Sequence, residues 1–290
     1  MKGFNINGNA SAQDVIDAAA NGSRLLRYQI LPGLNIPVDA WMAHLGSAMA
    51  HLDQVVVPNL GPQKLILDLH SAPGGMKGRK LRIFSDVTAR AMFLQTWATL
   101  VNHFKGYPPV LGYGILNEPA GSGKEVKALM VQTHELIRSL DKQKTILVTC
   151  PHSKPSEFKD TVHFSGDPNT IAEVHFYEPM GLTHQGMLGY KKGKKYPTSS
   201  FNKKHLTKAM SAILKYQQRT GAQILVGEFS ISAMADAETR GNYIRDCLAL
   251  FDQYGWHWCF HAWREGPGSA WSPEGVPQVM GALHQSLGNQ

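Results

Sequence analysis

Short apolar runs alternate with helical stripes along this chain. Eight runs predict strands: Lys2–Ile6, Ser23–Gln29, Lys64–His70, Val110–Asn117, Thr145–Cys150, Ile171–Tyr177, Gln223–Phe229 and Trp256–Trp263. Most are near-continuously apolar rather than alternating, which is the pattern of a strand covered on both faces. Helical spacing lies between them. In Asp86–Phe104 the residues Phe93, Leu94, Trp97, Leu100, Val101 and Phe104 fall on one face, with Asp86 or Ser85 as the cap. In Lys124–Asp141 the stripe is Val126, Leu129, Met130, Leu136, Ile137 and Leu140. Leu206, Met210, Ile213 and Leu214 make another stripe, and Ile244, Leu248 and Phe251 a further one. Helical patterns near Val38–Val57 and Pro277–Leu287 complete the set, while the stretch after Cys150 is Pro-rich and weakly helical. Trp41 and Trp97 sit in helical patterns and read as core.

This alternation predicts an α/β fold, a (β/α)8 TIM barrel of typically ~250 residues, as one catalytic domain over residues 1–290. An open doubly wound sheet is the alternative, but no GxGxxG follows the first strand. In such a barrel, functional side chains stand where strands end. The strand ends here carry Arg27, His70, Asn117 with Glu118, His152, His175 with Tyr177, Glu228 and Trp263. His152 reads as a loop histidine and is left out of the site. A buried apolar strand that stops at a carboxylate is unusual, because buried charge is costly unless paired. Glu118 and Glu228 are two such carboxylates. Two carboxylates facing each other across a cavity suit glycoside hydrolysis, one as acid and then base, the other as nucleophile or activator of water. The acid must hold its proton near neutral pH, which calls for desolvation or a neighbouring like charge. The other must stay ionised, and Arg27 is the only cation among these strand-end residues. Its removal is expected to leave the barrel core intact. Asn117 is placed to donate to a substrate hydroxyl, and Trp263 to stack on a pyranose ring. Trp271 is a further candidate for extending the cleft.

Composition narrows the function classes. The chain of 290 residues is 43% hydrophobic, which excludes a disordered chain. Its formal charge of +7 raises the question of an anionic partner. The basic residues are scattered, however, apart from Lys191, Lys192, Lys194 and Lys195, which read as a solvated loop. No nucleic-acid partner is expected. Cys150, Cys247 and Cys259 are widely spaced without CxxC, which excludes a disulfide scaffold and a zinc ribbon. His134–Glu135 lacks the second His of HExxH. His257 and His261 would lie roughly 13 Å apart on a strand and cannot share an ion. Near Gly121, GSGK lacks the spacing of a phosphate-binding loop. No metal and no cofactor are therefore expected. No apolar run approaches the ~18 residues of a membrane span, so no membrane partner is expected either. The first residues lack the apolar stretch of a signal peptide; an extracellular or periplasmic location would require a leader already removed. A monomer is the expected state.

The strand-end residues also follow a familiar order. Arg27 is followed by LHSAPGG around His70, LNEPAG with Asn117 and Glu118, VHFYEP with His175 and Tyr177, GEFS with Glu228, and Trp263. In this the chain resembles glycoside hydrolase family 5, the retaining β-glycanases built on (β/α)8 barrels. The likeness runs from residue 27 to 263, and the pairing of NEP with GEF is its specific part. HFYEPMGLTHQG followed by KYP resembles a bacterial cellulase-type branch. The resemblance implies Glu118 as acid/base, Glu228 as nucleophile and retention of configuration. It implies that Arg27 and Tyr177 hold Glu228, that His70 and His175 support the sugar site, and that no cofactor is needed. The expected substrate is a polysaccharide or oligosaccharide, β-1,4-glucan first, with β-mannan or β-1,3-glucan as alternatives. The resemblance does not tie the strand-eight loop WREGPGSAW to a specificity. An inactive sugar-binding barrel and a basic nucleic-acid binder are the readings outside hydrolysis.

Overall fold

The computed structural model describes residues 1–265 and 269–288. All eight predicted runs are strands: β1 (Lys2–Ile6), β2 (Leu25–Ile30), β3 (Lys64–Leu69), β4 (Val110–Gly114), β5 (Thr145–Val148), β6 (Thr170–His175), β7 (Ile224–Glu228) and β8 (His257–Phe260). They are parallel and close in sequence order, β1 pairing with both β2 and β8. The predicted fourth and eighth strands run on too far. Past Gly114 the chain leaves the ladder, and Asn117 is held by a single backbone bond to Leu69.

The helices lie around this barrel: α1 (Ala12–Ala20), α2 (Trp41–His51), α3 (Val87–Phe104), α4 (Gly123–Leu140), the single turn α5 (Met180–Thr183), α6 (Lys203–Ala209), α7 (Ser211–Thr220), α8 (Ala237–Gln253) and α9 (Pro277–Leu287). Asp86 caps α3 by accepting from the N–H groups of Thr88 and Ala89. α2 continues as a wider turn over Leu52–Val56, which accounts for the long pattern from Val38 to Val57. The stripe from Leu206 to Leu214 is two helices that meet at Met210. α1 escaped the sequence reading, and so did a two-residue hairpin joining Met76–Lys77 to Lys80–Leu81. After Cys150 the chain makes 3-10 turns at Pro151–Ser153 and Pro155–Asp160. No described helix is long and apolar enough to cross a membrane.

Two apolar clusters result. The larger lies between sheet and helices and contains Trp41 and Trp97, whose indole N–H groups donate to Thr96 Oγ1 and the Ile115 carbonyl. The smaller contains Leu25, Ile66, Leu147, Leu225 and Cys259, with Leu111 and Ile171 against it. Side chains two apart on a strand share a face. The residues two positions further along, Arg27, Asp68 and Glu173, therefore stand above this cluster on its own side of the sheet.

Candidate active site

The site is built on Arg27. Its side chain is 0% exposed. Nε donates to Glu173 Oε1 at 2.7 Å, Nη1 to Asn5 Oδ1 at 2.9 Å and Glu228 Oε1 at 3.1 Å, and Nη2 to Asp68 Oδ1 and Asn117 Oδ1, both at 2.9 Å. A guanidinium has five N–H groups, and five acceptors meet them. Burial opposes its charge, but Asp68, Glu173 and Glu228 outweigh that and hold the pKa above its ordinary value. This corrects the expectation that the core is independent of Arg27. Without it, three buried carboxylates would lose their shared counter-charge. Asp68 and Glu173 were not among the predicted site residues. Each stands inside an apolar run two positions before a predicted histidine, and a charge there already demands a partner.

A second cation stands above the first. His175 Nδ1 lies 3.0 Å from Glu118 Oε1 and 3.6 Å from Glu228 Oε2, and Nε2 lies 3.8 Å from Glu173 Oε1. Burial lowers its pKa, but Glu228, Glu118 and Glu173 more than reverse this and raise it to about 10. His175 is therefore protonated at neutral pH. Glu228 is buried and accepts from the Tyr177 hydroxyl at 2.9 Å. Burial pushes its pKa up, yet His175, His261, Arg27 and His70 together bring it below the ordinary carboxylate value. Glu228 stays ionised as expected, but Arg27 is one of several groups responsible. Tyr177, raised well above its usual value by burial and then by Glu228, keeps its proton and donates it.

Glu118 follows β4 with φ 39°, in a left-handed conformation that a residue before proline rarely adopts. Such outliers concentrate at functional sites. Its side chain is 44% exposed, so the burial expected for it is not present in the open cleft. Polar atoms of Glu118, His175 and Glu228 all lie within 4.8 Å of one another. Among the described residues these three are spaced to hold a metal ion. His70 Nδ1 lies 2.7 Å from Asp68 Oδ2, and its Nε2 lies 3.4 Å from Asn117 Nδ2. Because Asn117 Oδ1 accepts from Arg27, its donor end is turned toward His70.

Glu118, His175, Tyr177 and Glu228 line a cleft of about 370 Å³. Arg27 and Asn117 sit beneath these residues, and His70 beside Asn117. Trp263 is a correction. It is 1% exposed, stacks on Phe4 with ring centroids 5.0 Å apart, and donates from Nε1 to the Asp14 carbonyl at 3.0 Å. The chain leaves the sheet after Phe260, and this indole turns outward against the start of α1. Trp271 lines the cleft instead, with ring centroids 5.6 Å from Tyr177, 5.1 Å from His184 and 5.9 Å from His261. His261 was considered only as a metal ligand. It stands two residues after the inward-facing Cys259, with Nδ1 3.7 Å from Glu228 Oε2 and Nε2 3.1 Å from Glu265 Oε1. Burial lowers its pKa, but Glu228 and Glu265 raise it overall. His152, left out by the sequence reading, also lines the cleft. In the Lys-rich loop, Lys195 pairs with Asp236 at 3.1 Å, and buried Gln185 holds the Lys194 backbone.

The pattern of the family described as cellulase (glycosyl hydrolase family 5) matches residues 2–266. Endoglucanase C of Acetivibrio thermocellus is 23% identical over 229 residues, 68% of this chain. The match spans 66% of that relative's own length, just under two thirds. Among solved structures, Cel5A of Thermotoga maritima in complex with mannotriose superposes with a TM-score of 0.83 at 18% identity, covering 97% of this chain and 96% of that one. The cellulose synthase subunit Z of Clostridioides difficile gives 0.80 at 17% identity, covering 98% and 99%.

Proposed function

The chain belongs to glycosyl hydrolase family 5, and from that premise we propose that it is an endo-β-1,4-glucanase that retains anomeric configuration, acting as one catalytic domain. The observation that carries this reading is the spacing of the carboxylates. Oxygens of Glu118 and Glu228 lie within 4.8 Å. Retaining enzymes place their two carboxyl groups about 5–5.5 Å apart, and inverting ones about 6.5–9.5 Å, to leave room for a water. Glu228, ionised and held by Arg27 and Tyr177, attacks the anomeric carbon. Glu118, open to the cleft, gives its proton to the leaving oxygen and then takes one from the water that releases the sugar. His175 orients Glu118 through Nδ1. Asn117 Nδ2 has a second N–H, besides the one turned toward His70, to offer a substrate hydroxyl, and Trp271 offers the apolar wall first assigned to Trp263. The reaction needs no cofactor. The glucan preference rests on the endoglucanase relative; the neighbour that holds mannotriose keeps β-mannan as the second reading.

Azide rescue tests the two roles. Glu228→Gly should be nearly inactive, and azide should restore turnover of an activated aryl glycoside with an α-glycosyl azide as product. Glu118→Ala should accumulate glycosyl-enzyme, and azide should give the β product. Swapped products would reverse the roles. Reducing-sugar release from glucan and mannan polymers separates the substrate readings.

A further inference from the structure

Beside the nucleophile stands a group that the two assigned roles leave unused. His261 is 8% exposed, with the rings of Tyr177 and Trp271 at centroid distances of 6.3 and 5.9 Å. Both nitrogens of its ring face carboxylates: Nε2 lies 3.1 Å from Glu265 Oε1, and Nδ1 lies 3.7 Å from Glu228 Oε2. Nδ1 makes no hydrogen bond within standard geometry, so what reaches Glu228 is charge. We infer that His261, held by Glu265, is a positioning residue that sets the balance between the two halves of the reaction, favouring hydrolysis of the glycosyl-enzyme over its formation. This rests on the retaining mechanism proposed above. Only the cationic ring offers an N–H to both carboxylates; a neutral ring turns a lone pair toward one of them. Burial opposes the charge of Glu265, but His261 outweighs it and holds that carboxyl below its ordinary pKa.

The cations around Glu228 differ in what each keeps when that charge is lost. In the first step an oxygen of Glu228 bonds to the anomeric carbon as the bond to the leaving oxygen breaks, and that oxygen takes the proton of Glu118. Glu228 is then a neutral ester and Glu118 a carboxylate. Arg27 still has Asp68 and Glu173. His175 touches Glu118 as well as Glu228, so it exchanges one carboxylate for the other. Among the described residues His261 has no ion pair with Glu118 and retains Glu265 alone. Its attraction to Glu228 is therefore full in the free enzyme, absent in the ester and partial in both transition states. It slows the first step and speeds the second. In that second step water bonds to the anomeric carbon and gives a proton to Glu118, and the electron pair of the breaking bond returns to Glu228. An opposite charge within ~4–6 Å shifts a carboxylate pKa by roughly 1–3 units. At the low end of that range, losing the charge of His261 changes the ratio of the two rate constants about tenfold.

The test is stopped-flow release of dinitrophenol from dinitrophenyl β-cellobioside by the full chain, as parent, as His261→Asn and as Glu265→Gln, with thermal melts as the folding control. The burst and the steady rate together give the rate constants of glycosylation and deglycosylation. His261→Asn should raise the ratio of the first to the second about tenfold, with deglycosylation slower than in the parent. Glu265→Gln should move the ratio the same way by less, and it decides the matter if His261→Asn does not fold. A merely structural role would slow both steps together and leave the ratio in place. A folded variant whose ratio is unchanged or falls overturns the inference, and so does failure of both variants to fold. A cellobioside inactivator with fluorine beside the anomeric carbon separates the underlying reading: no covalent adduct by mass spectrometry would refute the retaining mechanism itself, and the inference with it.

Discussion

Trp263 and Trp271 carry the same side chain eight positions apart, and their surroundings give them different work. Trp263 is sealed between Phe4 and the start of α1, so Trp263→Ala should cost about 3–5 kcal/mol of stability. Trp271 faces the cleft, so Trp271→Ala should raise KM several-fold and leave the melting temperature almost unchanged. Thermal melts beside steady-state kinetics check both; a KM effect confined to Trp263→Ala would restore the original assignment. His175 makes a prediction about pH. Its pKa is about 10 in the folded chain, against about 6.5 for an unperturbed histidine. Between those values the folded state keeps a proton that the unfolded chain has lost. The stability it contributes is full below about pH 6.5 and disappears as pH rises through about 10. His175→Asn should flatten the alkaline decline in melting temperature, and an equally steep decline in the variant would refute this account of the charge network. Glu118, His175, Tyr177 and Glu228 were legible because they close apolar runs. Asp68, Glu173 and His261 were not, because the apolar pattern around the first two hid the charge within it, and because His261 was weighed only against metal chemistry.

At the scale of elements, the buried strands announce themselves through continuous apolar runs. α1 does not. AQDVIDAAA is short and Ala-rich, and it buries only Val15 and Ala18. Its readable sign was local: Ser11 and Asp14 cap each other's backbone N–H in a reciprocal box. The break at Met210 was hidden because two abutting helices keep one apolar stripe. β7 ties an element directly to the site. A Cβ on Gly227 would lie 2.0 Å from Glu173 Oε1, the oxygen that accepts from Arg27 Nε. Gly227→Ala should therefore push Glu173 off Arg27, destabilise the fold by about 1–3 kcal/mol and lower kcat. Denaturant unfolding and single-turnover rates check it. A variant with parental stability and rate would mean that Glu173 does not buttress Arg27.

For the whole molecule, the barrel divides labour along its axis. Leu25, Ile66, Leu147, Leu225 and Cys259 close one end with apolar packing. Arg27 and its three carboxylates form a charged layer above them. Glu118 and Glu228 meet at the open end, where the cleft begins. The topology and this strand-end logic were legible from strand count and order. The charged layer was not: Arg27 and Asp68 stand on neighbouring strands, but Glu173 on β6 reaches Arg27 only when the barrel closes. The central claim is that Glu228 attacks carbon directly and Glu118 manages the proton. The most direct measurement is proton NMR of the anomer released first from a cello-oligosaccharide, recorded before mutarotation. The account predicts that the β anomer appears first and the α anomer only later. An α anomer at the earliest time points would mean inversion, with water rather than Glu228 as the attacking group.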